Sequence, residues 1–171
     1  STPKTFSLTI LAVLCLLWPA SASPGDAGDA AGELFRASDR CLACHNGLVA
    51  PDGTDVSIGA DWRGSMMANA ARDPYWQAAV RRESLDHPAA RAAIEDECSK
   101  CHMPMAHTTA HARGDNGRMF ANLAPGGGTD PAMAHQALDG VSCSVCHQIQ
   151  DVGLGEESSF VGHFTIDQGT P

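Results

Sequence analysis

Three short runs hold the residues of this chain best suited to chemistry: Cys41-Leu42-Ala43-Cys44-His45, Cys98-Ser99-Lys100-Cys101-His102 and Cys143-Ser144-Val145-Cys146-His147. Each reads Cys-x-x-Cys-His, the attachment pattern for c-type haem. On a helical turn, thiols at i and i+3 project from the same face and can form thioethers with the two haem vinyl groups. The histidine that follows is then placed to bind the iron as its proximal ligand. Two such cysteine pairs could instead supply the four ligands of a zinc ion. A single pair could act as a redox dithiol or a structural disulfide. Three pairs with three adjacent histidines fit covalent haem better, and no cysteine outside the N-terminal segment is left over. The reading is three c-type haems, with Cys41, Cys44, Cys98, Cys101, Cys143 and Cys146 as attachment points and His45, His102 and His147 on the irons.

Each iron then needs a second axial ligand or is left open. Five further histidines are available: His87, His107, His111, His135 and His163. His107 and His111 are four apart and share one face if their segment is helical. They are candidates for a neighbouring haem, or for chelating a separate metal. The link from His102 to His107 is too short for His107 to cross easily to the other face of the same haem. His135, eight residues before Cys143, is the favoured distal ligand, to haem 3 or a neighbour. His87 precedes Pro88, where a cap of the next helix is the alternative, and His163 reads equally as an exposed strand residue.

The elements that must position these residues are mainly helices. Asp73-Pro74 and Thr129-Asp130-Pro131 pair a capping side chain with proline at the first helical position, predicting helices over 74–85 and 131–139. A helix from about Ala31 should run into the first motif. Another, about 89–102, should carry the second and end near Met103-Pro104, because proline cannot continue the ladder. Residues 114–128 read as a Gly-rich loop, and Phe160–Ile166 as the best strand. Motif starts 57 and 45 residues apart give no fixed repeat. The expected fold is mainly α with extensive irregular loops and little β-structure, organised around three covalently bound haems.

The N-terminus suits that chemistry, since c-type haem is attached outside the cytoplasmic membrane. Lys4, the apolar run Phe6–Trp18 and the small-x-small Ala20-Ser21-Ala22 read as a signal peptide over 1–22. The run is short for a membrane span. Residues 23–30 follow as a flexible leader, and 31–171 as one trihaem domain. Without residues 1–22 the chain has 10 basic and 20 acidic residues, a net charge near −10. That balance disfavours nucleic acid and points to a redox partner with a basic docking surface, or to solubility alone. Only Trp62, Trp76, Tyr75 and four phenylalanines remain as aromatics. A protein-only core of this composition is thin, so the chain without haem is expected to be largely unfolded.

Residues around the motifs point to a family. In Asp61-Trp62-Arg63-Gly64-Ser65-Met66-Met67, Trp62 and Ser65 match a Trp-x-x-Ser-x-His segment that trails a Cys-x-x-Cys-His motif in a multihaem cytochrome c superfamily. Cys98–Pro104 resembles the Cys-x-x-Cys-His-Met-Pro segments of its nitrite-reductase-like members, and Gly140–His147 its Gly-Val-x-Cys-x-x-Cys-His segments. The resemblance covers most of residues 41–147. Where the family has the ligating histidine, this chain has Met67. The departure implies a thioether ligand to haem 1, with Met66 as substitute and gap-filling packing as the alternative. Met/His ligation raises the potential relative to His/His.

The leading expectation is an exported, periplasmic or extracellular electron carrier rather than an enzyme, passing electrons between closely packed haems. No nucleotide loop, Ser/His/Asp arrangement or HExxH is present. The resemblance implies two alternatives: a haem module of a nitrogen or sulfur oxyanion reductase, and a subunit of a membrane-associated conduit or extracellular haem filament. Members often continue with further motifs, so the resemblance also implies an N-terminal fragment of a larger protein.

Overall fold

Local sequence signals start several of the helices. The computed structural model describes residues 34–128, 130–167 and 169, so the expected signal peptide and leader lie outside the described residues. Helix α1 spans Ser38–Leu42, α2 Gly59–Arg63 and α3 Met66–Asn69. The Ser65 hydroxyl caps α3 by accepting the Ala68 amide at 3.2 Å. Helix α4, Pro74–Asp86, begins as Asp73-Pro74 predicts: the Asp73 carboxylate accepts the Tyr75 amide at 2.9 Å.

Helix α5, Arg91–His102, follows a 3₁₀ turn at Pro88–Ala90. His87 precedes that turn, but its side chain makes no capping bond and lies 3.8 Å from Glu83 instead. Chain reversal at Met103 lets α6, Pro104–Ala112, fold back on α5. Short α7 (Met119–Asn122), α8 (Pro131–Leu138) and α9 (Cys143–Gln148) complete the set. Asp130 caps α8 through the Met133 amide at 3.0 Å, again with proline at the first position.

Three expectations are corrected. The loop expected over 114–128 contains α7, because the fully buried Met119 anchors that turn in the core. Phe160–Ile166 is not a strand. Glu157–Val161 forms a 3₁₀ turn ended by Gly162 at φ 82°, and the Ser159 hydroxyl bonds the turn's own backbone. Only Ile166 pairs with another segment, in an isolated bridge to Ile149. The first helix is also shorter than expected, starting at Ser38.

The described residues fold as a mainly helical structure without strands, and all lie within one unit, Ala31–Pro171. Two small apolar clusters form its core. One gathers Trp76, Val80, Met103, Ala106, Met119 and Ala137 from α4 to α8. The other joins Phe35, Met105, Val145 and Ile166. Helix α6 belongs to both, through Ala106 and Met105. Among the described residues no helix is long and apolar enough to cross a membrane.

Candidate functional site

The three motifs occupy three different positions on their helices. Motif 1 starts within α1 and continues past its end, where the Cys44 and His45 amides both bond the Cys41 carbonyl, at 3.2 and 2.9 Å. Motif 2 is the last turn of α5, and motif 3 the first turn of α9. In each, the first cysteine is half-buried and the second exposed, and no disulfide joins any of the six. One thiol of each motif is thus set against the protein and the other faces outward.

Motifs 1 and 3 are brought side by side. The segment before α1 is stitched to α9 through the variable residues of motif 3. The Ser144 hydroxyl accepts the Arg36 amide at 3.2 Å and donates to the Arg36 carbonyl at 2.5 Å. Val145 is buried with Phe35, and the Gln148 amide reaches the Leu34 carbonyl at 2.8 Å. Asp139, just after α8, accepts both the amide and the hydroxyl of Ser38. As a result Cys41, His45, Cys143, Cys146 and His147 line one groove of about 640 Å³.

The Trp62–Met67 segment forms a further wall. Trp62 Nε1 donates to the Val141 carbonyl at 3.3 Å, and the Val141 amide bonds the Met67 carbonyl at 3.0 Å. Gly140, at φ 66°, permits this approach: a Cβ there would lie 2.5 Å from the Met67 oxygen. Met67 lines the groove, whereas Met66 is 89% exposed and lies outside its walls. The segment expected to serve motif 1 is therefore docked on the approach to motif 3.

Motif 2 is set against the larger core cluster, where Cys98 packs. The His102 ring stacks on buried Trp76, centroids 4.2 Å apart and planes within 2°. Its Nδ1 lies 2.9 Å from the Ala70 carbonyl. A proton on Nδ1 would satisfy that contact and leave Nε2 as the ligating nitrogen, the second-shell arrangement that orients a metal-binding imidazole. Nothing in the sequence near motif 2 signals either partner, because both arrive from α4 and the turn before it.

At motifs 2 and 3 the electrostatics argue against a reactive first cysteine. Burial pushes the Cys98 thiol up, reinforced by Glu97. Burial likewise raises Cys143, with Cys41 adding to the effect. Nucleophilic cysteines need the opposite shift. A tetrathiolate zinc site is also unsupported. Among the described residues, the one convergence of three or more His, Cys, Asp or Glu ligands is Asp96, His107 and His111.

A c-type haem fits the residues present. The apolar groove, the inner and outer thiols and the anchored imidazole suit a large flat group held at one edge. Ser142 Oγ and Trp76 Nε1 are buried beside the motifs without a protein partner. Each such atom costs about 1–3 kcal/mol unless a bound group bonds it.

The remaining candidate ligands lie elsewhere. His107 and His111 are on one face of α6, with ring centroids 4.2 Å apart, and both face Asp96 of α5. His135 is on the exposed side of α8 and does not line the groove. His163 Nε2 lies 3.3 Å from Lys100 Nζ. No family model matches the chain, and no curated protein or solved structure is significantly similar to it.

Proposed function

We propose that this chain is an exported multihaem c-type cytochrome that carries electrons between redox partners. The observation that supports it best is the shared groove, in which two Cys-x-x-Cys-His motifs from opposite ends of the described chain meet around Met67. In this reading Cys41 and Cys44, Cys98 and Cys101, and Cys143 and Cys146 each hold one haem, with His45, His102 and His147 on the irons. Bound haem iron supplies reversible one-electron chemistry.

The protein's part is to hold, orient and tune. The Ala70 carbonyl and the Trp76 ring fix the His102 imidazole. Met67 offers a thioether to the groove, and Met/His ligation sets a higher potential than His/His. Ile58, Trp62 and Val141 give the groove apolar walls against which a flat apolar group can pack. Bringing motifs 1 and 3 together shortens the path between their haems. A net charge of −9 favours a redox partner with a basic docking face.

One observation favours the oxidoreductase reading. Among the described residues lining the groove, Met67 is the one thioether or non-motif imidazole, and two motif histidines share it. An iron without a second protein ligand is a binding position for a small oxyanion. The resting spectrum separates the readings: all low-spin iron for the carrier, a high-spin fraction that binds nitrite or cyanide for the reductase.

The decisive experiment is an intact mass of the chain, made with its N-terminal segment in a host that attaches c-type haem. The expected product has lost residues 1–22 and gained three haems. Fewer than three would overturn the proposal.

A further inference from the structure

Asp96, His107 and His111 form a cluster outside the groove that motifs 1 and 3 share. Helix α6 presents His107 and His111 one turn apart, and α5 brings Asp96 between them. His111 Nε2 lies 2.8 Å and His107 Nε2 3.5 Å from the same carboxylate oxygen, Asp96 Oδ1. All three ligand atoms fall within 4.8 Å of one another. Donors bound at ~2.0–2.2 Å around a tetrahedral ion stand roughly 3.4 Å apart, so small side-chain adjustments bring these into register.

His107 Nε2 is buried and makes no hydrogen bond, a polar atom aimed into the cluster without a partner of its own. The Gly117 amide donates to the same oxygen, Asp96 Oδ1, at 2.6 Å and fixes the orientation of the carboxylate. Asp96 and Cys98 are two residues apart on α5, about 200° around the helix, so the cluster and the first thiol of motif 2 look in different directions.

We propose that Asp96, His107 and His111 bind a divalent transition-metal ion, of the zinc class, at a site separate from the haem irons. Two imidazoles and one carboxylate leave at least one coordination position open, toward a cavity of about 430 Å³ that also holds Glu97, Lys100 and His163. Among the described residues lining this cavity Lys100 is the one lysine or arginine, and it is engaged by Glu97 at 2.8 Å.

The test is zinc binding by the purified full chain carrying its haems, measured by equilibrium dialysis with elemental analysis and by the haem absorption spectrum. One zinc per chain is expected. His111→Ala, at a half-exposed position, and Asp96→Asn should each weaken binding about 10-fold or more with the haem spectrum unchanged. His163→Ala should retain it. Absence of zinc binding, or equal binding by His111→Ala, would overturn the proposal. A shift of iron from low to high spin in His111→Ala would also overturn it, by assigning that histidine to a haem. The motif reading is tested separately by haem count, which none of these variants changes.

Discussion

Asp139 holds Ser38 at two points: its carboxylate oxygens accept the Ser38 amide at 2.8 Å and the Ser38 hydroxyl at 2.6 Å. The two residues are 101 positions apart in the chain. Ser38 is the first residue of the helix that starts motif 1, and Asp139 immediately precedes the turn that leads into motif 3. The pair therefore clamps one motif to the approach of the other, and does so by capping a helix with a side chain from elsewhere. Replacing Asp139 with Ala should destabilise the protein by about 2 kcal/mol, since bonds to a charged acceptor contribute about 1.5–3 kcal/mol each and part-exposure reduces that. Thermal unfolding of the haem-loaded chain measures it, and an unchanged midpoint would contradict the clamp.

Gly140 sits where the chain passes over the Met67 carbonyl with a left-handed backbone. Gly140→Ala meets two penalties there: a left-handed conformation costing roughly 1–2 kcal/mol, and a methyl group driven against backbone oxygens. A loss of more than about 2 kcal/mol is expected. Gly153→Ala, at φ 69° in open surroundings, is the control that carries the first penalty alone. Denaturant titrations of the two variants should differ; equal losses would show that the Met67 contact is not tight.

Met67 tunes a haem potential if it supplies the thioether inferred above. Met67→His should lower the potential of one haem and leave the other two unmoved, because His/His ligation sits lower than Met/His. Met66→His, on the exposed side of the same turn, should change none. Spectroelectrochemical titration resolves the haems individually, and a shift from Met66→His alone would transfer the role to that residue.

His107 makes stability depend on pH. Burial, assisted by His111, holds its folded pKa below the ordinary value of 6.5. Its stabilising contribution is therefore fully present above pH 6.5 and falls as pH drops through the folded value, because the unfolded chain takes up the proton first. His107→Gln should flatten this part of the stability profile, measured by denaturant unfolding at a series of pH values. A slope identical to that of the parent chain would count against it.

The motifs and the starts of α4, α5 and α8 were legible in the sequence because their causes are local. A Cys-x-x-Cys-His run places two thiols and an imidazole on adjacent turns wherever it occurs. Asp73-Pro74 and Asp130-Pro131 carry their own caps, and Met103-Pro104 breaks its own helix. Pairings between distant segments have no such local cause. That motif 1 lies beside motif 3, with Met67 in their common groove, depends on Asp139 reaching Ser38, on Ser144 bonding Arg36 and on a glycine at 140. Trp76 meets His102, and Asp96 meets His107 and His111, because α4 and α6 fold onto α5 and bury a common set of methionines and alanines. The same folding turned the expected strand near His163 into a 3₁₀ turn, since a strand needs a partner and the neighbouring chain supplies one pairing only. Residue types and spacing determined which cysteines and histidines form the three motifs proposed to hold haem; only tertiary packing decided which of those groups face one another, because burial and long-range hydrogen bonds act between residues that the sequence keeps far apart.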